Sequence, residues 1–276
     1  MSTTNTELEG WFMAVKSFSI HAKINDQILS DCTIGELPSW GAPYAEDLMR
    51  LLLSPREQFP CTFAVAAAKK DSLRFGFVEN LHDRDAWNPL LDILSDYLKI
   101  FKKISRDTSL VIFFSLGERI STMTEYYHKF WEILQFLHDN DTEEWPSSVP
   151  CKVDDEWWEF SFCGVPIFAV CSTPMHDRRK SRSGPTFLIT FQPRWVFEGL
   201  EAGTPRGASA RRVIRERLRI YDDVEPSPEL GVYGHAGNRE WKQYFLLDEN
   251  QESFLRCPFR HRRNLVAPPE QSSNVQ

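Results

Sequence analysis

The chain has 276 residues, 32 Lys and Arg against 39 Asp and Glu, a formal net charge of -7, and 42% hydrophobic and 13% aromatic residues. This length suits one or two domains and a sizeable core, the apolar content excludes a disordered chain, and the acidic total argues against general nucleic-acid binding, which needs clustered cations. No apolar run reaches the ~18–20 residues of a membrane span. The start, MSTTNTELEG, has no basic stretch followed by an apolar one, and the six cysteines form no CxxC or CxxCH, so the expectation is a cytoplasmic protein with free thiols.

In chain order, residues 44–54 carry Leu48, Leu51 and Leu52 at helical spacing before Pro55. Two strands are expected at 61–67 and 74–79, separated by the turn composition KKDS. Asn88 as N-cap and Pro89 at the first helical position open a helix with Leu90, Leu91, Leu94, Leu98 and Phe101 on one stripe. The run LVIFFS at 110–115 reads as a buried strand. Thr122 and Glu125 form a capping-box pattern that opens a helix through about residue 139. Strands follow at 158–162 and 167–171, with Gly164-Val-Pro166 as the turn, and at 187–192. A basic helix at 208–221 and a short aromatic helix at 240–246 complete the order. Strands grouped as hairpins between helices predict a single-domain α+β fold with a mainly antiparallel sheet flanked by helices. The expected division is a partly ordered N-terminal extension (1–43), a catalytic domain (44–260) and a flexible tail (261–276).

Chemistry-bearing residues concentrate in CSTPMHDRRKSR at 171–182. There His176 stands next to Arg178, Arg179, Lys180 and Arg182, which reads either as an anion site beside a histidine or as a solvated basic loop. His138, near a helix end, reads either as a metal ligand from an aromatic stripe or as a histidine favoured by the helix dipole. FQPRW at 191–195, with Arg194, and NREWKQY at 238–244 combine aromatics with polar groups and suit a pocket wall or a core rim. Arg211, Arg212, Arg215 and Arg219 make one face of the basic helix cationic, to be met by acidic segments such as 154–156 or by an anion.

Several long motifs then occur in a distinctive order. They are FPCTFAVAA (59–67), YHKFWEILQFLHDNDTEEWP (127–146), WEFSFCGVPIFAVCSTPMHDRRKSR (158–182), FQPRWVFE (191–198), IRERLRIYD (214–222), LGVYGHAGNREWKQYFL (230–246) and CPF (257–259). In these the chain resembles the YqcI/YcgG family, some of whose members are haem-dependent N-hydroxylases of guanidino nitrogens. The resemblance implies a monooxygenase with haem b (iron) that hydroxylates a guanidino or amino nitrogen of a small molecule such as arginine. It would use dioxygen and an external electron donor, with no nucleic acid or membrane involved. The alternative is a haem or small-anion sensor without turnover. On this reading His176 and His138 are the iron-ligand candidates, and Arg178, Arg179, Arg182 and Arg194 serve the cofactor. Glu159, Asp222 and Glu240 are the carboxylates available to a cationic substrate.

Overall fold

The computed structural model describes residues 26–117, 121–201, 203–250 and 256–262. Most of the expected N-terminal extension (1–25) and of the expected tail (263–276) lies outside the described residues. The helices are α1 (Asp26–Cys32), α2 (Gly41–Leu52), α3 (Thr62–Lys69), α4 (Asn88–Ile104), α5 (Met123–Asn140) and α6 (Pro205–Tyr221). The strands are β1 (Leu73–Val78), β2 (Ser109–Phe114), β3 (Ser161–Phe162), β4 (Val165–Ser172) and β5 (Phe187–Pro193). They form one sheet in the order β1-β2-β5-β4-β3.

The sheet is mostly antiparallel, as expected, and its one parallel pair has a simple cause. β1 and β2 are joined through α4, and a helical crossover returns the chain in the same direction. β2 then pairs antiparallel with β5, β5 with β4, and β4 with β3. Cys163 and Gly164, at φ 48° and 69°, make the two-residue turn between β3 and β4. Two positive φ values suit a hairpin twist, which places the turn one residue before the expected Gly-Val-Pro.

Every residue of β2 is buried, because helices cover both faces of the sheet. Ile112, Phe114, Phe187 and Ile189 pack with α4 and α5 in the larger core. Phe75, Val111 and Phe113 turn to the other face, against Leu29, Ala45, Ala67 and Ala68 of α1–α3. Each fully buried Leu or Phe contributes about 1.5–3 kcal/mol relative to an exposed one. A β-carbon on Gly76 would lie 2.6 Å from both Ile112 and Ile93, so only glycine lets α4 approach β1 this closely. No helix among the described residues is long and apolar enough to cross a membrane.

The strand expected at 61–67 is instead α3. A short, almost wholly apolar run does not by itself distinguish strand from helix, and Ala64, Ala66, Ala67 and Ala68 lose no side-chain entropy in a helix. Asn88 is not the cap of α4 either. A 3-10 turn at Asp85–Trp87 runs straight into the helix, and Asn88 Nδ2 donates to the Asp85 carbonyl at 2.9 Å. The aromatic helix expected at 240–246 shortens to a 3-10 turn, Glu240–Gln243.

The capping box on α5 is complete. Glu125 N–H donates to Thr122 Oγ1 at 3.2 Å, and Thr122 N–H donates to Glu125 Oε2 at 2.8 Å. Thr122→Ala is expected to lower the unfolding free energy by about 1 kcal/mol. The check is a lower urea midpoint at unchanged slope; an unchanged midpoint would mean the cap contributes nothing.

Candidate functional site

Three segments far apart in sequence meet at Arg194, the residue after β5. Its Nε donates to Glu159 Oε2 at 2.6 Å, and its Nη2 donates both to Glu159 Oε1 and, at 2.9 Å, to Glu240 Oε1. Glu159 is fully buried. Glu240 Oε2 accepts from the side-chain amides of Gln243 at 3.1 Å and Asn238 at 3.3 Å. The guanidinium lies 3.7 Å from the centre of the Tyr233 ring, a cation–π contact. Tyr233 donates its hydroxyl to the Trp157 carbonyl at 2.8 Å, and the two rings meet edge to face. Trp157 is 50% exposed, so it forms the outer wall. A β-carbon on Gly234 would stand 2.3 Å from the Trp157 ring, and its φ is 69°, so that turn needs glycine.

Two carboxylates therefore share one guanidinium. Both hold Arg194 in its charged form, raising its pKa against the opposing effect of burial. Burial pushes the Glu159 carboxyl above its ordinary range, opposed by Arg194 and reinforced by the charge on Glu240.

Beyond it lies a continuous aromatic cluster. Trp131 stacks on Tyr244 at 6.2 Å, Trp241 meets Trp131 at 6.3 Å, and Trp158 contacts both Tyr244 and Phe259. His138 joins through Phe259, Trp145 and His261 at 5.0, 5.4 and 4.9 Å. The indole N–H groups of Trp158 and Trp241 and Nδ1 of His138 are buried with no hydrogen-bond partner among the described residues. Each such group costs about 1–3 kcal/mol, and native proteins hold few of them, so three in one cluster point to a bound group that supplies acceptors.

The two candidate histidines differ in what they have left to offer. His176 Nε2 donates to the Leu246 carbonyl at 2.8 Å, and Nδ1 accepts from the Thr173 hydroxyl at 3.0 Å. Both nitrogens are committed, which does not suit an iron ligand. His138 Nε2 accepts the Arg262 amide at 3.1 Å, so its neutral ring carries the proton on the unpartnered Nδ1. Iron needs the Nε2 lone pair, so His138, with its buried ring and aromatic walls, suits a haem ligand only by exchanging the Arg262 amide for iron.

The arginines of 178–182 are spent inside the chain. Arg179 Nε donates to the Leu247 carbonyl and its Nη2 to Asn250, both at 2.7 Å. Arg182 donates to the Tyr244 and Gln243 carbonyls at 3.3 and 3.1 Å. Arg178 pairs with Glu249 at 2.7 Å, and Lys180 with Asp223 at 2.8 Å. Asp222 accepts from Ser181 N–H and Oγ at 2.7 and 2.8 Å, which makes it a loop anchor in this arrangement. The basic loop thus clamps residues 243–250. Nor does α6 pair with 154–156 among the described residues: Arg211 and Arg215 donate to the Leu200 and Leu230 carbonyls, while Glu156 lies 4.0 Å from Arg239.

Of the sequence-derived candidates, the fold brings together Glu159, Arg194 and Glu240, and sets His138 in the adjoining aromatic cluster. It puts His176, Arg178, Arg179, Arg182 and Asp222 in the clamp. Asn238 opens the NREWKQY segment read as a pocket wall or core rim, whereas Tyr233 and Trp157 are not among the sequence-derived candidates. Tyr233 and Asn238 do sit in the 230–246 motif, and that density was the available signal.

Two expected outcomes test this geometry. Arg194→Ala leaves buried carboxylates uncompensated and is expected to cost about 3–5 kcal/mol. Replacing the pair with Arg194→Met and Glu159→Leu should restore part of that loss, and strictly additive losses in denaturant unfolding would contradict the coupling. Burial pushes both His138 and His176 down to about 4 from 6.5. The unfolded chain then binds more protons between these values, so stability is full above pH 6.5 and falls as pH drops toward 4. Thermal unfolding across pH 4–7 reads this; His176→Gln should flatten the slope, and an unchanged slope would exclude its contribution.

Comparison with known proteins gives this geometry a context. The model of the YqcI/YcgG family matches residues 48–260. The uncharacterized proteins YcgG and YqcI of Bacillus subtilis (strain 168) are 38% and 39% identical over 233 residues. Those alignments cover 83% of this chain and 92% and 91% of the relatives. A Streptomyces lavendulae protein named "Putative N(omega)-hydroxy-L-arginine synthase DcsA" is 35% identical over 249 residues, 86% of this chain and 91% of its own length. No solved structure matches. With the family's pattern spanning most of the sequence, from α2 through the CPF segment, this chain belongs to the YqcI/YcgG family.

Proposed function

We propose that this protein N-hydroxylates a guanidino or amino nitrogen of a small molecule such as arginine or a derivative, using dioxygen, external electrons and haem b. The observation that carries the reading is the likeness, over 86% of the chain, to a relative whose name states arginine N-hydroxylation. The cluster of unpartnered buried donors beside His138 supports a bound group at that place.

Bound haem would supply the activation of dioxygen, chemistry that no side chain provides. His138 would hold it, with Trp131, Trp158, Tyr244 and Phe259 as walls that exclude water. Arg194, Glu159 and Glu240 would set the polar edge of the site. Their geometry already accommodates a guanidinium, and Glu240 would receive a cationic substrate by exchanging its amide contacts with Asn238 and Gln243. A raised Glu159 carboxyl would keep a proton available near neutral pH. Trp157 and Tyr233 would close the outer side.

The test is purification with haem supplementation, a visible spectrum, and product analysis on guanidines and amines with a chemical reductant and dioxygen. A Soret band and an N-hydroxylated product are expected. His138→Ala should abolish the native spectrum, whereas His176→Ala should lower stability and leave the spectrum of folded protein unchanged. No Soret band, or haem binding without product on any guanidine or amine, would overturn the proposal; the second result would indicate a sensor or carrier.

A further inference from the structure

The most charged surface feature outside the site is α6. It carries Arg206, Arg211, Arg212, Arg215, Arg217 and Arg219 against a single acid, Glu216, in a chain whose net charge is -7. A groove of about 340 Å³ runs along it, lined by Ala208, Arg211, Arg212, Arg215, Glu216 and Arg219. All of these belong to one helix, so the groove has a floor and no opposing wall. Arg211 and Arg215 use one donor each on the Leu200 and Leu230 carbonyls, which fixes their direction and leaves their other donors for a ligand. Arg212 and Arg219 are exposed, and Arg219 reaches only the exposed Glu225, at 3.6 Å. Next to them Ile220 is 87% exposed, the most exposed large hydrophobic residue among those described.

We infer that the arginine face of α6 is the docking surface for a small acidic electron-transfer protein. This rests on the N-oxygenation reading. That reaction puts one oxygen atom of dioxygen into an N–H bond and releases the other as water, consuming two protons and two electrons. The sequence has no dinucleotide-binding fingerprint with which to take the electrons from a nicotinamide itself. A missing opposite wall suits a macromolecular partner, which brings its own. An exposed isoleucine amid arginines matches a protein interface, where an apolar centre with arginine is the usual composition. Duplex nucleic acid would set its phosphates against Glu216, and a membrane would need an apolar stripe where α6 offers one residue. Electron-transfer encounters are small and steered by opposite charge, which Arg211, Arg212, Arg215 and Arg219 on one helix face supply.

The face is also connected to the site. Asp222, the residue after α6, holds Ser181, and Arg182 donates to the Gln243 carbonyl. Gln243 in turn donates to Glu240.

The experiment titrates the haem-loaded full-length protein with an acidic [2Fe–2S] ferredoxin and with an acidic flavodoxin by calorimetry, at low and at 0.3 M salt. At least one should bind, and Arg212→Glu with Arg219→Glu should weaken it at least tenfold with an unchanged circular dichroism spectrum. Ile220→Ser should weaken it severalfold at unchanged charge. Binding of neither protein, equal binding by the variant, or tighter binding of duplex DNA or anionic vesicles would overturn the inference. Product formation with dithionite as donor separates the two claims. If it persists while ferredoxin and flavodoxin fail to bind, only the docking surface is wrong. If it is absent with every donor while the acidic partner still binds through α6, only the N-oxygenation reading is wrong.

Discussion

A charge buried away from water must be answered by another charge, and in this protein one guanidinium answers two carboxylates. Arg194 leaves the end of β5 and closes a fork on Glu159 while holding Glu240. Those residues belong to three segments separated by more than thirty positions each. The sheet alone does not bring them together, since Glu159 precedes β3 and Glu240 begins a 3-10 turn. The interaction welds the irregular last third of the chain onto the regular part. The aromatic cluster can form beneath it only because that weld exists, as Trp158 and Trp241 are the neighbours of Glu159 and Glu240.

The clamp at 173–182 serves the same purpose by other means. His176 and Arg182 spend their donors on the carbonyls of Gln243, Tyr244 and Leu246, and β4 adds Cys171 N–H on the Tyr244 carbonyl at 2.9 Å. Backbone groups buried in an irregular segment need such partners. The contrast with the aromatic cluster is informative. In the clamp nearly every buried donor finds an acceptor within the chain, whereas Trp158, Trp241 and His138 do not.

Much of the fold was legible because its elements are locally consistent. The α5 capping box, the stripe of α4 and the all-apolar β2 each follow from residues within one window. The failures have equally local causes. Residues 61–67 form a short apolar run that suits a strand as well as a helix, yet the alanines favour a helix and their small size lets it lie close on the sheet. Asn88 has the chemistry of a cap, but the 3-10 turn at Asp85–Trp87 begins the helical path before it.

The site divides along a different line. Residue types and motif density were sufficient to nominate Arg194, His138 and the basic loop, because charged residues among aromatics are visible in any order, whereas Glu159 and Glu240 entered through the family resemblance. Sequence alone determined α2, α4, α5 and α6, the central strand, the excess of arginine on α6 and membership of a family. Only tertiary structure decided which charges meet. It gave Arg194 to the two glutamates, turned Arg179 and Arg182 inward onto carbonyls and Asn250, left Arg178 in an exposed pair with Glu249, and kept His176 satisfied while His138 retained an unpartnered nitrogen. The physical reason is that a hydrogen bond depends on a few ångströms and a direction. Composition and spacing specify which groups a chain carries, and packing alone specifies which of them are left with a donor or a lone pair to offer.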